Sequence, residues 1–290
     1  MKMKSLLDSV LWKWGGFIPD KLYLSVRYYL KFNKLINWDN PKNFCEKLQW
    51  LKLYNRKPEY TMLVDKVKVK NYVATLIGEE YIIPTIGVWD NPNDIDFDKL
   101  PNQFVLKCNH NSGLGMCICR DKEKLDVGDV RRKLRKGLKQ NYYLTGREWP
   151  YKNVERKILG EKFMTDGSNT DLNDYKFYCF NGEPLIVMIS SGRYSGDLRF
   201  DYYNMNWEKL SLTWDRPNSN IEHIKPVCFD EMKKICQILS SKIPHVRVDL
   251  YVINSKPYFG EMTFFDSSGF CYFEEEQWNN QLGQYIELNT

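Results

Sequence analysis

Apolar residues Leu6, Leu7, Val10, Leu11 and Trp14 recur at helical spacing through residues 5–14, beside Lys2, Lys4 and Lys13. Gly15-Gly16 and Pro19 end that pattern. A second stretch of the same kind, DKLYLSVRYYLKFNKLI, carries Lys21, Arg27, Lys31 and Lys34. Both predict basic amphipathic helices. Such helices either lie on an anionic membrane surface or dock on the body of the protein, the commoner use of an apolar helix face. NPKNFCEKLQWLK predicts a capped helix over 40–52, and TMLVDKVKVKNYVATLI predicts another over 61–77, closed by Gly78.

Downstream the apolar period shortens. YIIPTIGVW, FVLKCNH, MCICR and KILGEKFM read as strands. Between the last two, residues 127–139 read as a helix whose positive charges face solvent. YKFYCF and PLIVMIS flank Asn181-Gly182, a two-residue hairpin turn. Residues 229–242 read as a helix, and VRVDLYVI and YFGEMTF then flank the polar turn Asn254-Ser255-Lys256-Pro257. Helices and strands mix without the strict alternation of a doubly wound sheet, which predicts an α+β fold.

At 290 residues and 43% hydrophobic, the chain can build a sizeable core or several subdomains. Aromatics reach 15%, and their polar tips need partners, which points to subdomain seams or a wide cleft. A net charge of +5 is too weak to argue for nucleic acid and suits anionic small molecules or an anionic membrane surface. The eight cysteines include no C-x-x-C pair, and three histidines give no zinc spacing, so the thiols read as free and buried, in a reducing cytoplasm. Neither a signal-peptide pattern nor a membrane-spanning apolar run is visible. The N-terminal helices leave room for peripheral contact with the inner face of the plasma membrane.

The residues richest in chemistry lie in VRVDLYVINSKPYFGEMTFFDSSG. On antiparallel strands Asp249 and Glu261 can converge, and Arg247, two residues from Asp249, shares its face. A guanidinium beside two carboxylates suits Mg²⁺ and the phosphates it escorts; it equally suits a surface hairpin with a salt bridge. In FVLKCNHNSGLGMCICR, Lys107 ends a strand, and Asn109, His110, Asn111, Ser112, Gly113 and Gly115 form a small-residue loop able to close over phosphate oxygens, or to serve as a plain turn. Lys66 stands near the start of a helix. Glu161-Lys162-Phe163 forms a strand-to-loop hinge, and Lys176 is a cation within an apolar strand.

In this order the pieces resemble the ATP-grasp superfamily, and more closely its TupA-like family of bacterial surface-polysaccharide biosynthesis. The matching blocks are NPKNFCEKLQWLKLYNRKPEY, LVDKVKVKNYV, GEEYIIPTIGVWD, LPNQFVLKCNHNSG, DYKFYCFNGEP and VRVDLYVINSKPYFGEMTFFDSSG. The resemblance implies two α+β subdomains clasping ATP, a glycine-loop part at about 104–160 and a metal-binding part at about 161–290. They would form a catalytic domain over 61–290, preceded by a helical segment over 1–60. It implies that Lys66, Lys107, Asn109, Ser112 and Gly113 surround the phosphates. Glu161, Lys162 and Phe163 would meet adenine. Asp249, Glu261 and Thr263 would hold Mg²⁺, with Thr263 where many relatives have Asn and Asp266 as another third ligand. Arg247 would steady the transferring phosphoryl group, and Arg193, His110, Lys176 and Ser268 would orient the substrates. The implied activity is an ATP- and Mg²⁺-dependent carboxylate–amine ligase joining an amino acid or peptide to a hexuronic acid through an acylphosphate. The alternative is a glycosyltransferase using a sugar nucleotide, for which Asp94-Ile95-Asp96-Phe97-Asp98 is the nearest acidic motif.

Overall fold

The computed structural model describes residue 11 and residues 15–165, 174–192 and 196–288. Most of the first helical stretch, the greater part of the polar loop after Thr165, and Arg193 lie outside the described residues. Four helices come first: α1 (Asp20–Phe32), α2 (Phe44–Tyr54), α3 (Glu59–Val64) and α4 (Lys68–Ile77). Asn43 starts α2 through a capping box with Glu46, which satisfies amides that open a helix. The single helix expected over 61–77 is two. Asp65 breaks it in an extended conformation, because its carboxylate accepts from Val67 N at 2.9 Å and from Asn109 Nδ2 at 2.8 Å.

The smaller sheet contains β1 (Thr85–Trp89), β2 (Phe104–Cys108), β3 (Met116–Cys119) and β4 (Ile158–Lys162), in the antiparallel order β1-β4-β2-β3. Helix α5 (Val127–Lys139) covers it, and Val130 and Leu134 pack with Phe104, Leu106 and Ile158 in a core of their own. Since β1 is an edge of this sheet, its subdomain begins upstream of Phe104. The short α6 (Tyr143–Gly146) follows α5.

The larger sheet contains β5 (Asp174–Phe180), β6 (Glu183–Ser191), β7 (Arg199–Asn204), β8 (His245–Ile253) and β9 (Lys256–Thr263), in the antiparallel order β7-β6-β5-β8-β9. Its core takes in α7 (Phe229–Ser240), α8 (Glu276–Tyr285) and the apolar faces of α1 and α2. Strand β7 and helix α8 carried no distinct sequence signal. Among the described residues no helix is long and apolar enough to cross a membrane.

The glycine loop springs from a close contact. A Cβ on Gly137 of α5 would lie 2.8 Å from Gly115 Cα and 2.6 Å from Cys108 Sγ, so the loop's return leg sits directly on the helix. We predict that Gly137→Ala lowers unfolding free energy by about 1–3 kcal/mol, despite alanine's better helix propensity, because backbone must shift to admit the methyl. Chemical denaturation of the two proteins measures the difference.

Candidate functional site

Two adjacent rows across the larger sheet carry the charged residues. Lys176, Asp249 and Glu261 are register partners on β5, β8 and β9, and two residues along stand Tyr178, Arg247 and Thr263. The alignment depends on a bulge. Phe259 opposes Leu250 but Glu261 opposes Asp249, which leaves Gly260 as the extra residue. Without it Glu261 would oppose Val248, a core position, and would turn away from the site.

Arg247 is the hub of this face. Its Nε and Nη2 fork onto the Asp249 carboxylate at 2.7 and 2.8 Å, and Nη1 reaches Asp266 Oδ1 at 2.7 Å. Nη2 also donates to Thr263 Oγ1 at 3.2 Å and lies 3.6 Å from Glu261. Lys176 bonds Asp249 at 2.6 Å and also pairs with Asp174. Lys66 bonds Glu261 at 3.1 Å and the Asn111 carbonyl of the glycine loop at 3.0 Å, which joins the two sheets' machinery. Burial opposes charge on Glu261, yet Lys66, Arg247 and Lys176 outweigh it and hold its carboxyl down at about 2. Burial likewise opposes the Lys176 charge, and Asp249 and Asp174 raise its pKa nonetheless.

A second cluster lies on the smaller sheet. Glu161 takes Lys70 Nζ on one oxygen and Lys107 Nζ on the other, each at 2.6 Å. Burial alone would raise its pKa, but the two lysines pull it below the ordinary value. The two clusters differ in sign. Two cations surround one acid here, whereas Asp174, Asp249, Glu261 and Asp266 face Lys66, Lys176 and Arg247 on the other side. The first leaves positive charge for an anion such as phosphate; the second leaves negative charge for a cation. Its donors are hard oxygens, which fits Mg²⁺. Among the described residues no three His, Cys, Asp or Glu side chains group to enclose a metal alone. A Mg²⁺ here would therefore take part of its shell from ligand oxygens, its usual habit.

A cavity of about 220 Å³ is bordered by Lys66, Ser112, Arg247, Glu261, Thr263 and Asp266. Tyr142, Glu148, Tyr151, Phe265, Ser267 and Ser268 complete its lining. Asp249 is 2% exposed and stands behind Arg247 rather than on the cavity wall. Gly113, at the loop tip, has φ +77 and open space around it.

Other expected site residues have structural partners. Asn109 is buried; its amide donates to Asp65 and to the Glu155 carbonyl, and its oxygen accepts from Lys157 N at 2.8 Å. His110 is buried against the Gln140 carbonyl, 3.1 Å from Nε2, and is not on the cavity wall. Lys162 is exposed, and Phe163 lies beneath the Arg120 guanidinium. Asp96 of the acidic motif accepts from Asp98 N and pairs with Lys99, outside the cavity lining. Sequence reasoning passed over Lys70, although it stands four residues after Lys66. It passed over Lys52, which lies in the helix expected over 40–52, and Tyr142, Glu148 and Tyr151, which belong to no periodic pattern.

A family model described as TupA-like ATPgrasp matches residues 46–287. No curated protein matches the chain in sequence. Among solved structures, D-alanine–D-alanine ligase from Bacillus anthracis, complexed with ATP, is 15% identical with TM-score 0.42, over 70% of this chain and 54% of its own. The chain thus spans about half the length of that relative. D-alanine–D-alanine ligase from Helicobacter pylori is 16% identical with TM-score 0.47, over 84% of this chain and 69% of its own. The ATP-grasp ligase PsnB, complexed with minimal precursor, Mg and ADP, is 9% identical with TM-score 0.40, over 90% of this chain and 66% of its own.

Two outcomes follow from the charge geometry. Arg247→Met leaves buried Asp249 and half-buried Asp266 without their guanidinium and should cost about 3–5 kcal/mol of stability, measured by urea unfolding. Glu261 ionises in the folded protein at about 2, below the value of about 4.3 expected unfolded. Its contribution is therefore complete above the unfolded value and lost as pH falls towards the folded one. The melting temperature of wild type should drop through that window more steeply than that of Glu261→Gln.

Proposed function

Since the chain belongs to the TupA-like ATP-grasp family, we propose that it is an ATP- and Mg²⁺-dependent carboxylate–amine ligase. It joins the amine of an amino acid or peptide to the carboxylate of a hexuronic acid, during synthesis of a bacterial surface polysaccharide such as capsule or O-antigen. The observation that carries this reading is the cavity lined by Arg247, Glu261, Thr263 and Asp266, with Lys66 tying Glu261 of the acidic cluster to the glycine loop.

A carboxylate resists attack by an amine. When bound, Mg²⁺-ATP supplies the phosphoryl group that converts it to an acylphosphate. The chain's own task is positioning and charge neutralisation, which dominate phosphoryl transfer. Lys107 and Lys66 meet the phosphates, and the loop over Ser112 and Gly113 closes on them. Arg247 is aimed in advance by Asp249 and Asp266, so its remaining N–H reach serves the transferring group without reorganisation. Glu261, Thr263 and Asp266 are the cavity-facing donors for Mg²⁺, while Asp249 holds Arg247 and Lys176 in line behind them.

The sugar acid and the polysaccharide setting rest on the family; the paired tyrosines of the cavity, Tyr142 and Tyr151, with ring centroids 4.7 Å apart, suit a sugar face. ATP dependence argues for a cytoplasmic location. Peripheral membrane contact is part of the same proposal, supported by Phe17, Leu22 and Leu35 standing exposed beside the basic residues of α1.

The test is ADP release from Mg²⁺-ATP with a panel of amino acids, against UDP-glucuronate, UDP-galacturonate and oligouronides as acids. Release should require both an acid and an amine and should fall about 100-fold or more in Glu261→Ala. Turnover of UDP-sugar without ATP would instead establish a sugar-nucleotide transferase.

A further inference from the structure

The cavity bordered by Arg247 also holds a carboxylate that the phosphoryl-transfer machinery does not use. Glu148 is 2% exposed yet borders the cavity. Ser268 Oγ donates to its Oε1 at 2.6 Å, and among the described residues no other side chain donates to this carboxylate. An ionised carboxylate can accept several more hydrogen bonds. The buried cation whose charge acts most on it, Lys52, does not supply them. Lys52, fully buried, donates instead to Gln49 Oε1 at 2.9 Å and to the carbonyls of Gly146 and Ser268, each at 2.6 Å. Lys52 therefore offsets the charge of Glu148 from a distance and leaves its cavity side to a ligand.

The surroundings hold this carboxylate in place. Ser267 and Ser268 adopt left-handed conformations, with φ 47 and 52, a strained arrangement in non-glycine residues. Gln49 Nε2 donates to the Gly269 carbonyl at 2.7 Å, and with Lys52 it pins the turn from α2. A Cβ on Gly146 would lie 2.2 Å from Ser268 Oγ, so only glycine admits the hydroxyl that orients Glu148. Backbone strain, a steric gap and a buried lysine all converge on Ser268, whose hydroxyl donates to the Glu148 carboxylate. A cation with N–H donors completes that carboxylate, and in a carboxylate–amine ligase the substrate of that description is the ammonium form of the amine.

We propose that Glu148 receives the amine substrate and takes the proton that its ammonium group loses before attack; the inference rests on the ligase reading above. One N–H proton passes to the Glu148 carboxylate. The freed lone pair forms the C–N bond at the acylphosphate carbon. The C–O bond to phosphate breaks with its electron pair, and the departing phosphate takes the second N–H proton. Glu148 then releases its proton to solvent, and no oxidant or reductant is required. Burial raises the pKa of Glu148 against the opposing pull of Lys52, which makes it a stronger base than an exposed glutamate. The carboxylate of the acid substrate lies towards Arg247.

The experiment compares two nucleophiles with the same full-length protein, Mg²⁺-ATP and acid panel: the amino acids, protonated at neutral pH, and hydroxylamine, which is largely unprotonated there. In Glu148→Gln the ratio of amino-acid-dependent to hydroxylamine-dependent ADP release should fall about 100-fold relative to wild type. Ser268→Ala should lower the same ratio about tenfold, and it decides the matter if the glutamine variant does not fold. An unchanged ratio, whether both rates fall together or neither does, would overturn the role of Glu148 and leave the ligase intact. No ADP release by wild type with either nucleophile would overturn the ligase reading itself.

Discussion

The site depends on burying one guanidinium beneath a sheet face. Arg247 is 8% exposed, and a charge so placed is tolerated only if its directions are met by acceptors. Asp249 takes one fork and Asp266 the other end, and Thr263 and Glu261 flank Nη2. The contacts reach β8, β9 and the turn after β9, so the same ion that meets a phosphoryl group also fixes the elements bearing the acids. Lysine could not replace it, because an ammonium has no planar fork to hold Asp249 in two-point contact while reaching Asp266. The bulge at Gly260 belongs to the same constraint, since it delivers Glu261 to the face where Arg247 lies.

Around this hub, charge is divided by sheet. The smaller sheet carries surplus cations around Glu161; the larger carries surplus acids around Arg247. Each cluster is nearly self-neutralising in the absence of ligand, which keeps the desolvation cost of either within reach of folding. The imbalance that remains has opposite sign on the two sides, and a metal–phosphate ligand has both signs arranged in that way. Lys66 ties the glycine loop of the smaller sheet to Glu261 of the larger. Its position follows from the break between α3 and α4, where Asp65 caps the second helix and binds Asn109. A continuous helix over 61–77 would rotate Lys66 onto a helical face with Lys70, instead of leaving it at the helix entrance against the loop carbonyl of Asn111.

The break explains what was legible and what was not. Local patterns carried the helix α5, the hairpin at Asn181-Gly182, the β2–loop–β3 unit and the β8–β9 pair, since each needs only neighbours in sequence. The Asp65 break needed Asn109, more than forty residues on, and no local propensity announces it. Asn109 itself looked like a loop donor because small polar residues serve equally in phosphate loops and in fastening backbone. Its three hydrogen bonds decide for fastening in this structure. Lys176 illustrates the reverse. A lysine in an apolar strand normally faces solvent, but here the central position of β5 leaves only the site face, where Asp174 and Asp249 receive it. Glu148 and Lys52 were illegible for a simpler reason: they stand nearly a hundred residues apart and meet only through the Ser268 turn.

The N-terminal helices take part in this arrangement from the outside. Helix α1 shares the larger core through Tyr23, Leu24 and Tyr28. Its Arg27 donates to the Thr145 carbonyl at 2.6 Å, and Asp20 accepts from Tyr143 and pairs with Arg56 at 2.7 Å. These contacts brace α6, whose last residue, Gly146, is the floor under Ser268. Helix α2 braces the same turn from the other side through Gln49 and Lys52. The inner faces of both helices are thus committed to the wall of the cavity that carries Glu148. The outer side, where Phe17 and Leu22 stand exposed, is under no such demand. A helix arranged in this way can meet a surface without disturbing the site, because the contacts that shape the cavity all leave from the opposite face.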